Sequence, residues 1–133
     1  MRAVDSSIVG AATAPVTFEV EKGAIVKLAE AIDDPHPDYR SGAAAPPTFP
    51  TTFRMPLPGL SDVDPARFIH GEQEYVHERP IRAGDRITCV ARIADAREKE
   101  IALGRVTFTT IEVEGRDETG ELVFTGRSTL IVR

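Results

Sequence analysis

The sequence contains one cysteine, no tryptophan and three histidines in 133 residues. A lone Cys89 cannot form an internal disulfide, and no Cys-x-x-Cys or His-x-x-x-His spacing indicates a metal site, so we expect no metal or other cofactor. No stretch approaches the roughly 20 apolar residues that a membrane-spanning helix needs. Residues 1–15 also lack a basic start followed by a long apolar run. These absences predict a cytoplasmic protein with no secretory signal and no membrane segment.

Positive charge is limited as well. The formal net charge is −5, and lysine and arginine form no cluster. A nucleic-acid-binding protein normally carries such a cluster, so this class is excluded. The chain is long enough for one hydrophobic core and too short for two ordinary domains, and 41% of its residues are hydrophobic. We therefore predict one domain over residues 1–133, with a flexible segment at residues 1–14.

The first regular elements are predicted to be a strand and a helix. Val16–Val20 alternates apolar and polar side chains, as a short strand does. Apolar residues then recur at helical spacing, namely Ile25, Leu28, Ala29 and Ile32. This amphipathic helix is predicted to end near Asp33 or Asp34, because Pro35 disfavours helical geometry in the residue before it.

A proline-rich segment follows over residues 34–65 and holds eight of the ten prolines. The only helical piece predicted inside it is a short one at Thr51–Met55. Loops of this length in compact domains are usually functional or disordered. The apolar side chains of this segment favour a packed segment over a disordered one: Phe49, Phe53, Met55, Leu57 and Leu60.

The remainder of the chain predicts an antiparallel meander of four strands: Arg67–Arg79, Asp85–Arg97, Ile101–Glu114 and Glu121–Arg133. Turn signals separate them at Gly84-Asp85, Glu98–Glu100 and Asp117–Gly120. One face of the second strand is apolar and the other polar, with Ile87, Cys89, Ala91 and Ile93 on the apolar face. A single modest helix is too little to cover such a sheet. We therefore expect another subunit to cover part of it.

Two stretches resemble one known family in their order and spacing. The first joins Ala29–Tyr39 to Ala44–Pro50, and the second joins His70–Tyr75 to Arg79–Asp85. They are similar to motifs of the N-terminal half-domain of MaoC-like dehydratases, a superfamily with FAS1-like dehydratases and R-specific enoyl-CoA hydratases. The resemblance covers about residues 16–132 and implies an α+β hot-dog fold, an antiparallel sheet wrapped around a helix. It also implies pairing into a double hot dog, with an acyl tunnel shaped by the proline-rich overhang and its short central helix.

Catalytic members of that family interconvert a trans-2-enoyl thioester and an R-3-hydroxyacyl thioester. The aspartate and histidine of a D-x-N-P-x-H turn hold and deprotonate one water. Aligned on Pro37, Asp34 matches the aspartate, His36 replaces the asparagine and Tyr39 replaces the histidine. Tyrosine, with an unperturbed pKa near ~10 against ~6.5 for histidine, is the poorer general base at neutral pH. The resemblance therefore implies an incomplete catalytic pair.

The incomplete catalytic pair most simply implies that this chain is the non-catalytic, acyl-binding half of an R-specific 3-hydroxyacyl-thioester dehydratase or enoyl-thioester hydratase. A catalytic MaoC-like subunit then forms the heterodimer and carries the intact pair, although a homodimer is the common default. Asp34 and His36 are the catalytic candidates. The acyl thioester, on coenzyme A or acyl carrier protein, is expected against Tyr39, Pro47, Thr48, Phe49, Phe53 and His70.

Alternatives to this reading stay open. His36 replaces the missing base in a self-sufficient hydratase, or the chain binds acyl thioesters without chemistry, with Asp34 as an ordinary turn residue. A hot-dog thioesterase usually needs a carboxylate on the wrapped helix, and Thr48–Leu57 contains neither Asp nor Glu. His70 and His77 are expected on opposite faces of their strand. Glu72 and Glu74 are expected on the face of His70, as its solvated side.

Overall fold

Five strands form one antiparallel sheet in the order β1-β3-β4-β5-β2 in the computed structural model, which describes residues 3–133. They are β1 (Val16–Glu19), β2 (Phe68–His77), β3 (Arg86–Ile101), β4 (Gly104–Arg116) and β5 (Leu122–Val132). Two helices, α1 (Lys22–Ala31) and α2 (Pro37–Arg40), accompany short 3-10 turns at Ser6–Ile8, Phe49–Thr52 and Pro65–Arg67. No helix between residues 3 and 133 is long and apolar enough to cross a membrane. The predicted α+β class is confirmed, but the four-strand meander is not: β3, β4 and β5 follow one another in the sheet, whereas β2 pairs with β5 instead of β3.

Strand β3 shows the alternation that its sequence predicts. Its exposed residues include Arg86 and Arg92. The alternating apolar residues on the opposite face are at most 1% exposed, namely Ile87, Cys89, Ala91 and Ile93. A bulge between Ile93 and Asp95 shifts the alternation by one residue and keeps Ala96 on the buried face. Each fully buried aliphatic side chain contributes about 1.5–3 kcal/mol, so this inner face anchors the core.

The predicted turn at Glu98–Glu100 is wrong. Strand β3 continues through this charged run to Ile101, where it pairs with Gly104 of β4. The charges are compatible with a strand because they find partners across the hairpin. Arg105 lies 2.6 Å from Glu98, and the Lys99 ammonium lies 4.8 Å from the ring centroid of Phe108. The charged run therefore lies in the paired part of the β3–β4 hairpin, and the turn comes only after Ile101.

Helix α1 lies where the apolar spacing predicts it. Ile25 and Ala29 are fully buried, and Ile25 belongs to a core cluster with Phe49, Ile81 and Ile87. The helix ends at Ala31, just before the predicted stop. Asp33 then adopts a φ of 54° and turns the chain toward Pro35. The helix thus covers the end of the sheet nearest β1.

The proline-rich overhang, residues 34–65, contains no central helix at Thr51–Met55, so that prediction is wrong. One 3-10 turn at Phe49–Thr52 replaces it. Pro50 is tolerated in the first turn, but Pro56 and Pro58 prevent any continuation. The expected packing is observed, because the apolar side chains of the overhang enter the core: Phe49 is 2% exposed, Leu60 0% and Val63 5%.

The segment before β1 differs from the flexible stretch predicted for it. Residues 1 and 2 of that stretch lie outside the described residues. Val4 and Ile8 are 6% and 7% exposed and pack into a core cluster. The Gly10 N–H donates to the Ile93 carbonyl, and the Thr13 N–H donates to the Ala91 carbonyl, each at 2.9 Å. The segment is ordered because β1 pairs only with the first residues of β3 and leaves this stretch of its edge open.

The close packing of Phe124 on Gly115 yields a stability prediction. A Cβ added to Gly115 would lie 2.2 Å from Cε1 of Phe124, a ring that is 1% exposed. We expect Gly115→Ala to lower the free energy of unfolding by about 1–3 kcal/mol, because the buried ring has no room to move. In Gly23→Ala, the control in α1, the added Cβ meets nothing within 4 Å, so we expect a gain of up to about 1 kcal/mol. Urea denaturation measures both, and equal stabilities would contradict the packing.

The buried thiol yields a second prediction. Cys89 is fully buried, and this burial raises its pKa to about 12, so the thiol stays protonated. We expect iodoacetamide at mildly alkaline pH to leave the folded chain unmodified and to alkylate it fully in denaturant. The chain has one cysteine, so intact mass spectrometry gives the result directly. Rapid alkylation of the folded chain would show that this part of β3 opens readily.

Candidate functional site

A cavity of about 370 Å³ lies between the overhang and the inner face of the sheet. We call it the overhang cavity. Its walls are mainly apolar and aromatic: Phe53, Met55, Leu57, Ile111, Val113 and Phe124. Phe53 is held by two neighbouring rings, because it stacks on Phe18 at 4.8 Å and meets the edge of Phe49 at 5.6 Å. Such a cavity suits an extended apolar ligand.

The polar groups of the overhang cavity carry no negative charge. They come from Thr51, His70, Gln73, Tyr75 and Ser128, and no lining residue is Asp or Glu. Burial raises the pKa of Tyr75, so its phenol stays neutral and can donate a hydrogen bond. The cavity therefore offers hydrogen bonds to a ligand but no carboxylate that could activate water.

A bulge in β2 decides which side chains face this cavity. The register of β2 against β5 shifts between His70 and Glu72, so the bulge lies at Gly71. His70 pairs with the buried Leu130, and His77 pairs with the buried Phe124, so both histidines lie on the inner face. The expectation that they face opposite sides is wrong, because one extra residue reverses the alternation.

The same bulge turns the acidic residues of β2 away from the cavity. Glu72 and Glu74 lie on the outer face, opposite to His70, and not on its face as expected. Both are exposed, so their interpretation as a solvated side stands. The outer face of the sheet is the one that also carries Arg92 and Glu112.

The aspartate turn uses its polar side-chain atoms locally. Oδ1 of Asp34 accepts the backbone N–H of His36 at 2.9 Å. Nδ1 of His36 accepts the backbone N–H of Asp38 at 3.2 Å and so caps the four-residue helix α2. The ring of Tyr39 stacks on that of His36 with centroids 4.5 Å apart. Arg40 donates from Nε to the Asp34 carbonyl at 2.7 Å. The turn is thus a closed structural unit.

The cap also determines where His36 carries its proton. A neutral imidazole that accepts at Nδ1 must have its hydrogen at Nε2. Nε2 is then a donor and has no lone pair for a water proton. A general base at this position would first have to release the N–H of Asp38. The geometry therefore disfavours His36 as a substitute base.

A second cavity, of about 420 Å³, lies beside this turn. We call it the turn cavity. His36, Tyr39, Pro47 and His77 are among its walls. Nε2 of His77 lies 2.8 Å from the Pro47 carbonyl and ties β2 to the overhang, while Nδ1 is buried without a hydrogen-bond partner. Sequence reasoning assigned no role to His77, and only a bulge at Gly71 could have signalled that it faces inward.

Arg79 closes the turn cavity on the side of the sheet. Its guanidinium lies 2.8 Å from Asp85 and 3.5 Å from Asp117. The hydrogen bond that Arg79 donates to Asp85 is the largest cause of the raised pKa of Arg79. The hydrogen bonds that Asp117 accepts, first of all from the Thr119 hydroxyl, lower the pKa of Asp117. The cation is held by protein carboxylates, so it positions the loops around the cavity.

The predicted site residues therefore divide between two cavities. Phe53 and His70 line the overhang cavity, whereas His36, Tyr39 and Pro47 line the turn cavity. The others line neither: Asp34, Thr48 and Phe49. Phe49 lies in the core and Thr48 is exposed. The structure thus places the acid and base candidates apart from the apolar cavity.

Comparison with known families agrees with this architecture. The family model of the FAS1-like dehydratase domain region matches residues 7–126. The chain belongs to this FAS1-like dehydratase family. It is also similar to a UPF0336 protein of Thermobifida fusca, with 35% identity over 90% of this chain and 86% of the relative.

Solved structures of dehydratases share the fold of this FAS1-like chain. The HadBC (3R-hydroxyacyl-ACP dehydratase) complex from Mycobacterium tuberculosis has a chain with a TM-score of 0.76 and 22% identity, over 96% of this chain and 99% of that one. A MaoC-like dehydratase from Rhodospirillum rubrum has a TM-score of 0.70 and 20% identity, over 93% of this chain and 91% of that one. The resemblance to MaoC-like dehydratases and the single hot-dog fold are confirmed.

The role of His36 as a cap can be tested by substitution. We expect His36→Ala to lower the free energy of unfolding by about 1 kcal/mol, because the N–H of Asp38 loses its acceptor. Asparagine is a good cap, so His36→Asn should keep nearly all of the stability. Thermal denaturation compares the three proteins. Equal losses in both variants would assign the effect to the lost stacking on Tyr39 instead.

Proposed function

We propose that this chain is the acyl-binding, non-catalytic half of an R-specific 3-hydroxyacyl-thioester dehydratase or enoyl-thioester hydratase. A partner subunit of the same family carries the intact aspartate and histidine. One observation carries the proposal: Oδ1 of Asp34 and Nδ1 of His36 each accept a backbone N–H group of their own turn. With Tyr39 in the place of the usual histidine, the turn retains its shape and lacks its base.

The overhang cavity supports the acyl-binding part of the proposal. Hydration of a trans-2-enoyl thioester adds water across the double bond, so it needs one group to take a proton and one to deliver a proton. The cavity has no carboxylate, and the phenol of Tyr75 stays protonated. Its aromatic and aliphatic walls can hold an acyl chain away from water, and its few polar side chains can orient the end near the thioester.

The composition of one related assembly supports a partner. The HadBC structure is a complex described as a 3R-hydroxyacyl-ACP dehydratase, and its fold extends over nearly all of this chain. In such an assembly the partner's turn would supply the catalytic acid and base. This chain would form part of the wall of the acyl-binding cavity and would stabilise the complex.

The proposal is tested by assaying hydration of a short and a long trans-2-enoyl-CoA. We expect the purified chain alone to be inactive, and a mixture with a MaoC-like protein bearing the intact D-x-N-P-x-H turn to exceed the activity of that protein alone. Activity of the lone chain that Asp34→Asn or His36→Ala abolishes would overturn the proposal and make His36 the base. A mixture without gain, together with measurable binding of a long acyl-CoA to the chain, would favour a binding module.

The overhang cavity has its own matched pair of variants. Ser128 lines the cavity, whereas its neighbour Thr129 lies on the outer face opposite Glu72. We expect Ser128→Phe to fill the cavity and lower kcat/KM for the long substrate about tenfold in the mixture, with little change for the short one. Thr129→Phe should leave both unchanged. Equal effects of the two variants would show that the acyl chain lies elsewhere.

A further inference from the structure

Residues 46–58 of the overhang have few means of bonding to the sheet. Five of them are prolines, which have no backbone N–H to donate to a strand. In the part of the chain that the structure describes, their hydrogen bonds are local, as from the Phe49 N–H to the Pro46 carbonyl, with one exception. Nε2 of His77, on β2, lies 2.8 Å from the Pro47 carbonyl. Among the described residues this is the single hydrogen bond between the stretch and the sheet.

His77 serves this bond as a donor. The Pro47 carbonyl can only accept, so Nε2 carries the ring hydrogen and Nδ1 holds a lone pair. Nδ1 is buried and has no hydrogen-bond partner among residues 3–133. A histidine that relays protons is usually oriented by a carboxylate at its second ring nitrogen. The ring of His77 is therefore placed to hold the overhang and not to move a proton.

Aromatic neighbours fix the ring of His77 on the inner face. Its centroid lies 6.2 Å from that of Tyr75 and 6.3 Å from that of Phe124. Phe124 is 1% exposed and packs closely on Gly115, so its ring has no room to move. The donor at Nε2 is thus presented at a fixed point, and this point determines where the Pro47 carbonyl lies.

The position of Pro47 bears on the wall of the overhang cavity. Phe49, two residues later, is 2% exposed, and its ring meets that of Phe53 at 5.6 Å. Phe53 lines the overhang cavity, whereas His77 and Pro47 line the turn cavity. Close-packed side chains transmit a displacement to their neighbours. The bond therefore acts on the wall of the overhang cavity from outside that cavity.

We propose that His77 is a positioning residue for acyl binding. Its bond to Pro47 holds Phe49 and Phe53 over the sheet and keeps the overhang cavity in the shape that accepts a long acyl chain. This inference rests on the proposed function, in which that cavity binds the acyl group. Loss of the donor displaces a wall of the cavity without removing any side chain that lines it.

Two variants of His77 isolate the donor. His77→Phe keeps a ring beside Tyr75 and Phe124 and removes the donor. His77→Gln supplies a donor again, as an amide that neither titrates nor relays protons. The control is Val76→Phe, which adds a ring at the neighbouring position, because Val76 is 50% exposed and lies on the outer face.

Amide hydrogen exchange of the free chain measures the hold on the overhang. The Ala45 N–H donates to the Ile81 carbonyl at 2.8 Å, so its exchange reports when the overhang separates from the residues after β2. We expect this amide to exchange about tenfold faster in His77→Phe and at the wild-type rate in His77→Gln and Val76→Phe. The amides of β4 should keep their rates, because the opening is local. An unchanged Ala45 rate in His77→Phe would overturn the inference, and so would an equal acceleration in His77→Gln.

Hydration kinetics in the mixture with the catalytic partner measure the effect on acyl binding. We expect His77→Phe to raise KM for trans-2-decenoyl-CoA about fivefold at unchanged kcat, and to leave trans-2-butenoyl-CoA unaffected. His77→Gln should restore the wild-type KM. A loss of kcat in His77→Gln for both substrates would make the ring catalytic and contradict the positioning role.

The two measurements separate the inference from the proposed function. A mixture without hydration, together with the expected Ala45 exchange in all variants, would overturn the proposed function and support the hold of His77 on the overhang. Hydration that exceeds the partner's own, together with an Ala45 rate that ignores His77→Phe, would support the proposed function and overturn the inference.

Discussion

Burial of the inner face of the β3–β4 hairpin is the constraint on which the rest of this structure depends. Its side chains, from Ile87 and Cys89 to Ile93 and Ile111, are nearly or fully inaccessible. A sheet cannot bury one face without a cover, and among residues 3–133 the only helix of more than four residues is α1, with ten. The N-terminal segment and the overhang supply the remainder. Both irregular segments are ordered because their apolar side chains pack on this surface and exclude water from it.

The cover is looser over one region of the sheet, and there the overhang cavity forms. A regular helix packed at Thr51–Met55 would present a continuous ridge of side chains to the sheet. The prolines at positions 56 and 58 prevent it, and the segment passes over the sheet with a single 3-10 turn. Aromatic rings from Phe18, Phe49 and Phe124 then hold Phe53 in place. Proline placement thus leads to an apolar cavity with ordered walls.

The charged groups of the aspartate turn, of the loops beside the turn cavity and of the outer face serve structure. Asp34 and His36 close a turn, Arg79 joins two loops through Asp85 and Asp117, and Glu112 binds two arginines across the outer face. Chemistry on a thioester needs such groups free and aimed at the substrate. Here they are engaged, which is the physical basis for the proposal that a partner supplies catalysis and this chain binds the acyl group.

The sequence by itself determined the strands, helix α1 and its end, because each follows from local periodicity or from the geometry that proline imposes. It also showed that Tyr39 stands where the turn of catalytic family members has histidine, because the residue type at each position is read directly from the sequence. Tertiary structure alone decided which face His70, His77 and Glu74 occupy, because the bulge at Gly71 is a feature of pairing with β5. It decided as well that Glu98–Glu100 is strand and that the segment before β1 is packed. Those outcomes depend on cross-strand partners distant in the chain, which local pattern does not record.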